Sequence, residues 1–312
     1  MLMRLQSPRT ANVRELVREG SSAFGLAGET EEAAFRLESE GAKVKASVDG
    51  QVAGRRADFM ARSELVVWMG TSDLQLVRGG GSERRRYLDF LAAQIDPEYR
   101  LHWSRYRKVL QVRNRALKSG ASAAELRAYT NLLITHGEEL RQRRGDVCEQ
   151  LRDQVRERHQ GISQTAEDAV LRYQPREKDG LREAFERLEE NERRRGVTLA
   201  GPHRDEVELT LCGRAAKAFG SEGQQRTLAL ALKLAQGDVL KRLGGKTPLY
   251  LVDDVFGELD RSRRHALLQQ LPTDAQKLTT TTNLDWFDSH AQSDLNPGQI
   301  WQVMGGTVVA SE

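Results

Sequence analysis

Cysteine is nearly missing. The 312 residues hold two, Cys148 and Cys212, far apart and outside any C-x-x-C spacing. That excludes a disulfide framework and a thiolate metal site; two buried free thiols in a reducing cytosol are expected instead. No apolar run approaches the roughly 18 residues that span a bilayer, so no membrane role is expected. No secretory signal opens the sequence, which points to a cytoplasmic protein. Charge of one sign is missing too: 48 Lys and Arg stand against 45 Asp and Glu, a formal net charge of +3. Composition therefore does not announce nucleic-acid binding, and any basic surface has to be local.

What is there concentrates in residues 219–260. Leu249-Tyr250-Leu251-Val252-Asp253-Asp254 is an apolar run ending in two acids, the pattern of a buried parallel strand with carboxylates at its C-terminal end. A carboxylate there suits Mg²⁺, which keeps most of its positions for water and phosphate oxygens. A second acid beside it suits the orientation of an attacking water. Taken alone, an ordinary strand followed by an Asp-rich turn explains the run equally well. Upstream, Ser221-Glu222-Gly223-Gln224-Gln225 opens onto an Ala- and Leu-rich helix. Ser is a good N-cap, and helix N-termini bind anions through free N–H groups. With Gly257-Glu258-Leu259-Asp260 following, the set looks like the signature loop, Walker B strand and D-loop of an ABC-type ATPase head.

Along the chain, residues 23–26, 33–37 and 44–48 read as a strand meander with turns at Glu40-Gly41 and Asp49-Gly50. Residues 65–69 read as a compact apolar strand. Gly79, Gly80 and Gly81, followed by Arg84, Arg85 and Arg86, fit either a phosphate cradle or a linker into a solvated helix start. From about 90 to 195 helix formers and charges dominate. Leu126, Leu133, Leu140 and Val147 recur every seven residues, and Leu151 and Val155 continue the stripe, so an antiparallel helical partner is expected. Residues 197–212 read as strand-like around Gly201-Pro202-His203-Arg204-Asp205, where His203 and Arg204 suit a phosphate or DNA contact. Residues 279–282 read as a strand end from which Thr281 can aim a hydroxyl at a phosphate. Residues 303–309 read as an edge hairpin.

Four motifs stand in register over nearly the whole chain. They are Asp73-Leu-x-Leu-Val with Glu83-Arg84-Arg85-Arg86-Tyr-Leu-Asp89; Leu199-x-Gly201-Pro202-His203-Arg204-Asp205; Ser221-x-Gly223-Gln224-Gln225; and Val252-Asp253-Asp254-Val255-x-x-Glu258-Leu259-Asp260. The set resembles the RecF family. The resemblance implies an α/β fold, an ABC/SMC-type ATPase head split by a helical arm: head over residues 1–89, arm over 90–195, head again over 196–312. It implies ATP and Mg²⁺ as cofactors. Asp253 would hold the metal and Asp254 would be the catalytic acid. Ser221, Gly223 and Gln224 would meet the nucleotide of a partner subunit, with Thr281 near its γ-phosphate and Asp260 reporting across an ATP-dependent homodimer. Arg84, Arg85, Arg86, His203 and Arg204 would be the DNA-contact candidates. DNA, single-stranded or as gapped duplex, and RecR and RecO would be the partners in recombinational repair and replication.

The chain departs from the family pattern in two places. Thr71-Ser72 stands where the family has Pro-Glu before Asp73. The family's strand, G-x-x-G-x-G-K-[ST] phosphate loop and helix are missing ahead of residues 5–20, so Met1 is expected to be an internal methionine taken as a start. Gly244-Gly245-Lys246-Thr247 imitates the end of such a loop. It lies after a helix and before a strand, and Leu240 occupies the place of the first glycine, so a turn is expected. Without the loop, ATP is expected to bind weakly. The alternative function is a non-hydrolysing RecF-like DNA-binding module that works without ATP.

Overall fold

The computed structural model describes residues 1–5, 7, 10, 12–41, 43–283 and 299–310. Alternating burial organises the first sheet: Phe35, Leu37 and Ser39 face inward between exposed neighbours, the period of a half-buried strand. Strands β1 (Ala23–Glu29), β2 (Ala34–Glu40), β3 (Lys43–Val48) and β4 (Gln51–Val52) form an antiparallel meander in chain order. Helix α1 (Arg56–Arg62) lays Phe59 edge-on against Phe35, ring centroids 5.5 Å apart. With Ala33, Leu37 and Val48 these rings make a small separate core.

The larger core begins with β5 (Val66–Gly70), followed by the short α2 (Gln75–Arg78) and by α3 (Gly81–Ile95). A Cβ added at Gly79 would meet the Gln75 carbonyl at 2.4 Å, so the exit from α2 is too tight for any side chain. Asp96 caps α4 (Pro97–Lys118), accepting from the N–H groups of Glu98 and Tyr99 at 2.9 and 3.1 Å. Ser122 caps α5 (Ala123–Ser163), a helix of 41 residues. There follow β6 (Ala169–Gln174), α6 (Leu181–Arg195), β7 (Glu206–Leu211), β8 (Arg214–Ala215), α7 (Ala216–Phe219), α8 (Glu222–Gly244), β9 (Leu249–Asp253), α9 (Arg261–Gln270) and β10 (Lys277–Thr280). The hairpin β11 (Trp301–Met304) and β12 (Thr307–Ala310) follows residues 284–298.

Strands β10, β9 and β5 form a parallel sheet in that order, with Asp253 opposite both Gly70 and Thr280. Strands β6, β7 and β8 form a second, antiparallel sheet. The heptad stripe of α5 is buried, and its partner changes along the helix. Leu126 packs with Ala116 and Leu117 of α4. Further on, Arg158 makes a two-pronged bond to Asp238 of α8 at 2.7 and 2.6 Å, and Gly161 lies against Gln270 of α9. Leu133, Leu140, Val147, Leu151 and Val155 therefore join one core with Met69 of β5 and Leu228, Leu232 and Val239 of α8. The stretch 90–195 shares that core with its flanks and includes β6, which pairs with β7.

Three expectations change. The strand over 197–212 begins only at Glu206. Before it, the backbone N–H groups of Thr198 and Leu199 donate to the side chains of Asn114 and Glu192 at 2.8 and 2.6 Å, so no ladder is needed there. Gly201, at φ +123, and Pro202 then turn the chain. Only one cysteine is buried: Cys148, whose thiol burial pushes up to about 12. Cys212 is exposed because it occupies the positive-φ tip of the β7–β8 hairpin. The 303–309 hairpin extends one or two residues beyond those bounds at each side.

Residues 244–247 form the expected turn. Gly245 ends α8 at φ +70, Lys246 pairs with Glu32 at 2.6 Å, and Thr247 donates to Asp274.

The helical and sheet layers are bolted together by buried ions. Asp205 is fully buried and accepts four hydrogen bonds: Arg141 Nε at 2.9 Å, Arg141 Nη2 at 2.7 Å, Tyr173 Oη at 2.5 Å and the Arg176 backbone N–H at 3.0 Å. Glu177 also takes Arg141. One turn further along α5, Arg144 reaches Asp89 at 2.7 Å and the Pro202 carbonyl at 2.6 Å. Removing one partner of such a pair strands a buried charge, so Asp205→Ala is expected to cost about 3–5 kcal/mol. Asp58→Ala, which breaks an exposed pair with Arg55, should cost at most about 0.5 kcal/mol. Urea unfolding of the two variants checks the contrast.

Candidate functional site

Parallel strands end together, and the ends of β5, β9 and β10 bring Gly70, Asp253 and Thr280 side by side. The Thr280 hydroxyl donates to Asp253 Oδ1 at 2.6 Å, while the Asp254 N–H donates to the Thr280 carbonyl at 3.1 Å. Asp254 itself sits at φ +51, a conformation costly for a residue with a Cβ. Its Oδ1 is buried without a hydrogen-bond partner among the described residues. Asp254 thus combines a positive φ with one unpaired, buried carboxylate oxygen. Thr281, the expected hydroxyl, instead bonds the Asn283 carbonyl at 2.8 Å; Thr280 stands beside the acids, one residue earlier.

A second construction surrounds the N-terminus of α8. Ser221 Oγ accepts from the Gln224 N–H at 3.3 Å, and Gln224 Oε1 accepts from the Ser221 N–H at 2.8 Å, a reciprocal cap that leaves Ser221 exposed. Gln224 Nε2 donates to Glu167 at 2.5 Å. Gly223 lies close to Arg263: a Cβ there would lie 2.6 Å from its guanidinium, which would have to shift. Arg263 in turn pairs at 2.8 Å with Asp260, which caps α9. Hydrogen bonds from Arg263, its backbone first, hold the Asp260 carboxyl below its ordinary range.

Arginines join the two constructions. Arg226, one turn into α8, pairs with Glu222 at 2.9 Å and with Glu258. Arg264 donates to the Phe256 and Leu259 carbonyls at 3.1 and 2.9 Å, fixing the segment between the acids and Asp260. Arg226, Glu258, Gly70, Thr71 and Asp73 line a small open cleft. Asp73 is not free there: it accepts from the Gly70 N–H at 2.9 Å and pairs with buried Lys233 of α8 at 3.2 Å. Arg226, Lys233, Thr280 and Glu167 have no motif signal of their own; only their spacing from the acids and from Ser221 could have flagged them.

The basic candidates divide sharply. Arg84 is saturated by Glu206 at 3.0 Å and by the Leu76 and Gly79 carbonyls. Arg85 donates to the Asp205 carbonyl at 2.6 Å. Arg204 reaches the Thr198 carbonyl at 3.3 Å. His203 sits between the Tyr106 hydroxyl at 2.7 Å and the Thr198 carbonyl at 3.3 Å. Arg86 alone is exposed, paired with Glu83 at 3.3 Å. Helix α3 begins within this run, at Gly81.

Among the described residues no three His, Cys, Asp or Glu side chains converge on a metal position. One carboxylate beside one hydroxyl does fit Mg²⁺, which fills its remaining sites with water and phosphate.

An acid-tipped parallel strand, a capped helix N-terminus and an arginine-braced turn between them give the α/β head fold expected from the sequence motifs. Relatives agree. A DNA replication and repair protein RecF from Synechococcus sp. (strain JA-3-3Ab) is 36% identical over 334 aligned positions, covering 100% of this chain and 87% of the relative. One from Lactobacillus delbrueckii subsp. bulgaricus is 33% identical, covering 98% and 85%. The solved structure of the recombination mediator protein RecF-ATP in the RecFOR pathway superposes with a TM-score of 0.86 at 23% identity, covering 100% of this chain and 86% of that one, a likeness of fold. No protein-family model matches. The chain belongs to the RecF family of DNA replication and repair proteins.

Burial lowers the His203 pKa to about 4, so the ring is neutral at pH 7 and brings no charge to a phosphate. The folded value lies below the unfolded 6.5. Stability from this group is therefore complete above pH 6.5 and is lost as pH falls toward 4, by on the order of 3 kcal/mol. Urea midpoints measured from pH 7 to 4 should fall, and His203→Gln should flatten part of that slope.

Proposed function

We propose that this chain acts as an ATP-dependent, dimerising DNA-binding head that loads at DNA gaps with RecR and RecO. The observation that carries the reading is the pairing, in one molecule, of a strained carboxylate at the end of β9 with an exposed, capped N-terminus on α8. In this reading Asp253, held by Thr280, takes Mg²⁺, which when bound neutralises phosphate charge. Asp254 accepts a proton from water through its unpaired Oδ1. Ser221 and the free N–H groups of α8 receive the phosphate of the nucleotide on the opposite subunit. Asp260, tied to Gly223 through Arg263, transmits that contact to α9. A nucleotide shared by two heads stabilises the pair by mass action, and hydrolysis releases it. Work in the cytoplasm, on single-stranded or gapped DNA, belongs to the same proposal.

These 312 residues contain no G-x-x-G-x-G-K-[ST] run. The alternative kept beside the first reading is DNA binding that ignores ATP. Sedimentation with and without ATP-Mg²⁺, on this chain and on one preceded by the family's strand and phosphate loop, separates the two. The first reading expects an ATP-dependent dimer, weakened at least about tenfold by Ser221→Arg, which blocks the α8 N-terminus, and by Asp253→Asn. An unchanged dimer in Ser221→Arg would exclude the role given to that residue. The second expects DNA affinity that falls with salt and does not respond to ATP in either chain.

A further inference from the structure

Behind the α8 cap lies a group that the reading above does not use. His159, near the end of α5, is fully buried, and neither ring nitrogen has a hydrogen-bond partner among the described residues. A buried polar group left unpaired keeps its whole desolvation cost, so such groups are rare without a purpose. His159 Nε2 lies 3.8 Å from Glu167 Oε2, too far for a hydrogen bond and close enough for an ion pair. The other oxygen of the same carboxylate accepts the 2.5 Å bond from Gln224 Nε2. Gln224 closes the cap with Ser221. One carboxylate thus stands between an unpaired imidazole and the turn that presents Ser221.

The charges acting on the ring come from two elements. Glu167, on the connection after α5, favours the imidazolium; Arg263 of α9, itself paired with Asp260, opposes it. Helix α8 contributes the uncharged amide of Gln224. Burial is the largest influence and holds the pKa below the ordinary histidine value, so the ring is neutral near pH 7.

We propose that His159 is a positioning residue for the Ser221–Gln224 turn, acting through Glu167. Taking up a proton from solvent, its Nε2–H donates to Glu167 Oε2. A shift of about 1 Å closes the gap, and the bond formed is charge-assisted on both sides. Glu167 is then held at both oxygens, Gln224 is clamped, and the cap on Ser221 stiffens. Neutral, the ring leaves Glu167 with one anchor. The role in nucleotide-linked dimerisation rests on the proposed function; the link from His159 to Gln224 does not.

Two measurements keep these apart. In the nucleotide-free protein, NMR titration with labelled histidine and glutamine should show His159 titrating below free histidine and the Gln224 side-chain amide moving with the same midpoint. Glu167→Gln, a near-isosteric change, should lower the His159 midpoint further and uncouple Gln224. A Gln224 amide that ignores the His159 titration overturns the link. In sedimentation of the loop-bearing chain, ATP-dependent dimerisation should tighten about fivefold as pH falls from 7.5 through the His159 midpoint found by NMR in the unaltered protein, and stay flat in His159→Gln. The same slope in His159→Gln overturns the positioning role. No ATP-dependent dimer at any pH overturns the nucleotide part and the proposed function with it, while the NMR coupling still decides the link.

Discussion

The structure depends on a carboxylate that never sees water. Asp205 is fully buried between α5, β6 and the loop that enters β7, and Arg141 and Tyr173 saturate it. A desolvated charge of this kind is tolerable only when every lone pair is matched, which demands that all contributing elements stand in one arrangement. Arg144, one turn along, repeats the device with Asp89 and the Pro202 carbonyl. Together they set the height and rotation of α5, whose far end then meets α8 and α9 through Arg158 and Gly161. The long helix is the spine against which both functional constructions are placed.

That role explains why the basic residues around Gly201-Pro202 turn inward. Arg84 bonds Glu206 and the Leu76 and Gly79 carbonyls, Arg85 the Asp205 carbonyl, Arg204 the Thr198 carbonyl, and His203 the Tyr106 hydroxyl. The motif Gly201-Pro202-His203-Arg204-Asp205 is thus organised first as a structural joint, with Tyr106 and Tyr173 as its aromatic partners.

The functional end follows a different logic. There Asp254 keeps an unpaired carboxylate oxygen at a positive φ, and the capped start of α8 leaves Ser221 exposed. Arg226, Arg263 and Arg264 hold the connecting segment so that these unsatisfied groups stay in place. Rigidity around a few unsatisfied atoms is the condition for binding a charged ligand without reorganisation.

Sequence by itself determined the parts whose causes are local. The acid-tipped run 249–254, the Ser221–Gln224 cap, the meander and the heptad stripe of α5 each carry a period or a cap that a short window reveals. The family, too, was legible, because Asp73, Gly201 to Asp205, Ser221 to Gln225 and Asp253 to Asp260 keep their order and spacing. Tertiary structure alone decided what those residues touch. It made Thr280, rather than Thr281, the neighbour of Asp253, because parallel register sets which residue ends opposite which. It sent the α5 stripe to α8 as well as α4, and exposed Cys212 at a hairpin tip. It tied His203 to the Tyr106 hydroxyl and Arg204 to the Thr198 carbonyl, since what a basic side chain meets depends on how the elements around it pack. Pairings such as Arg141 with Asp205 span 64 residues, and no local pattern encodes them.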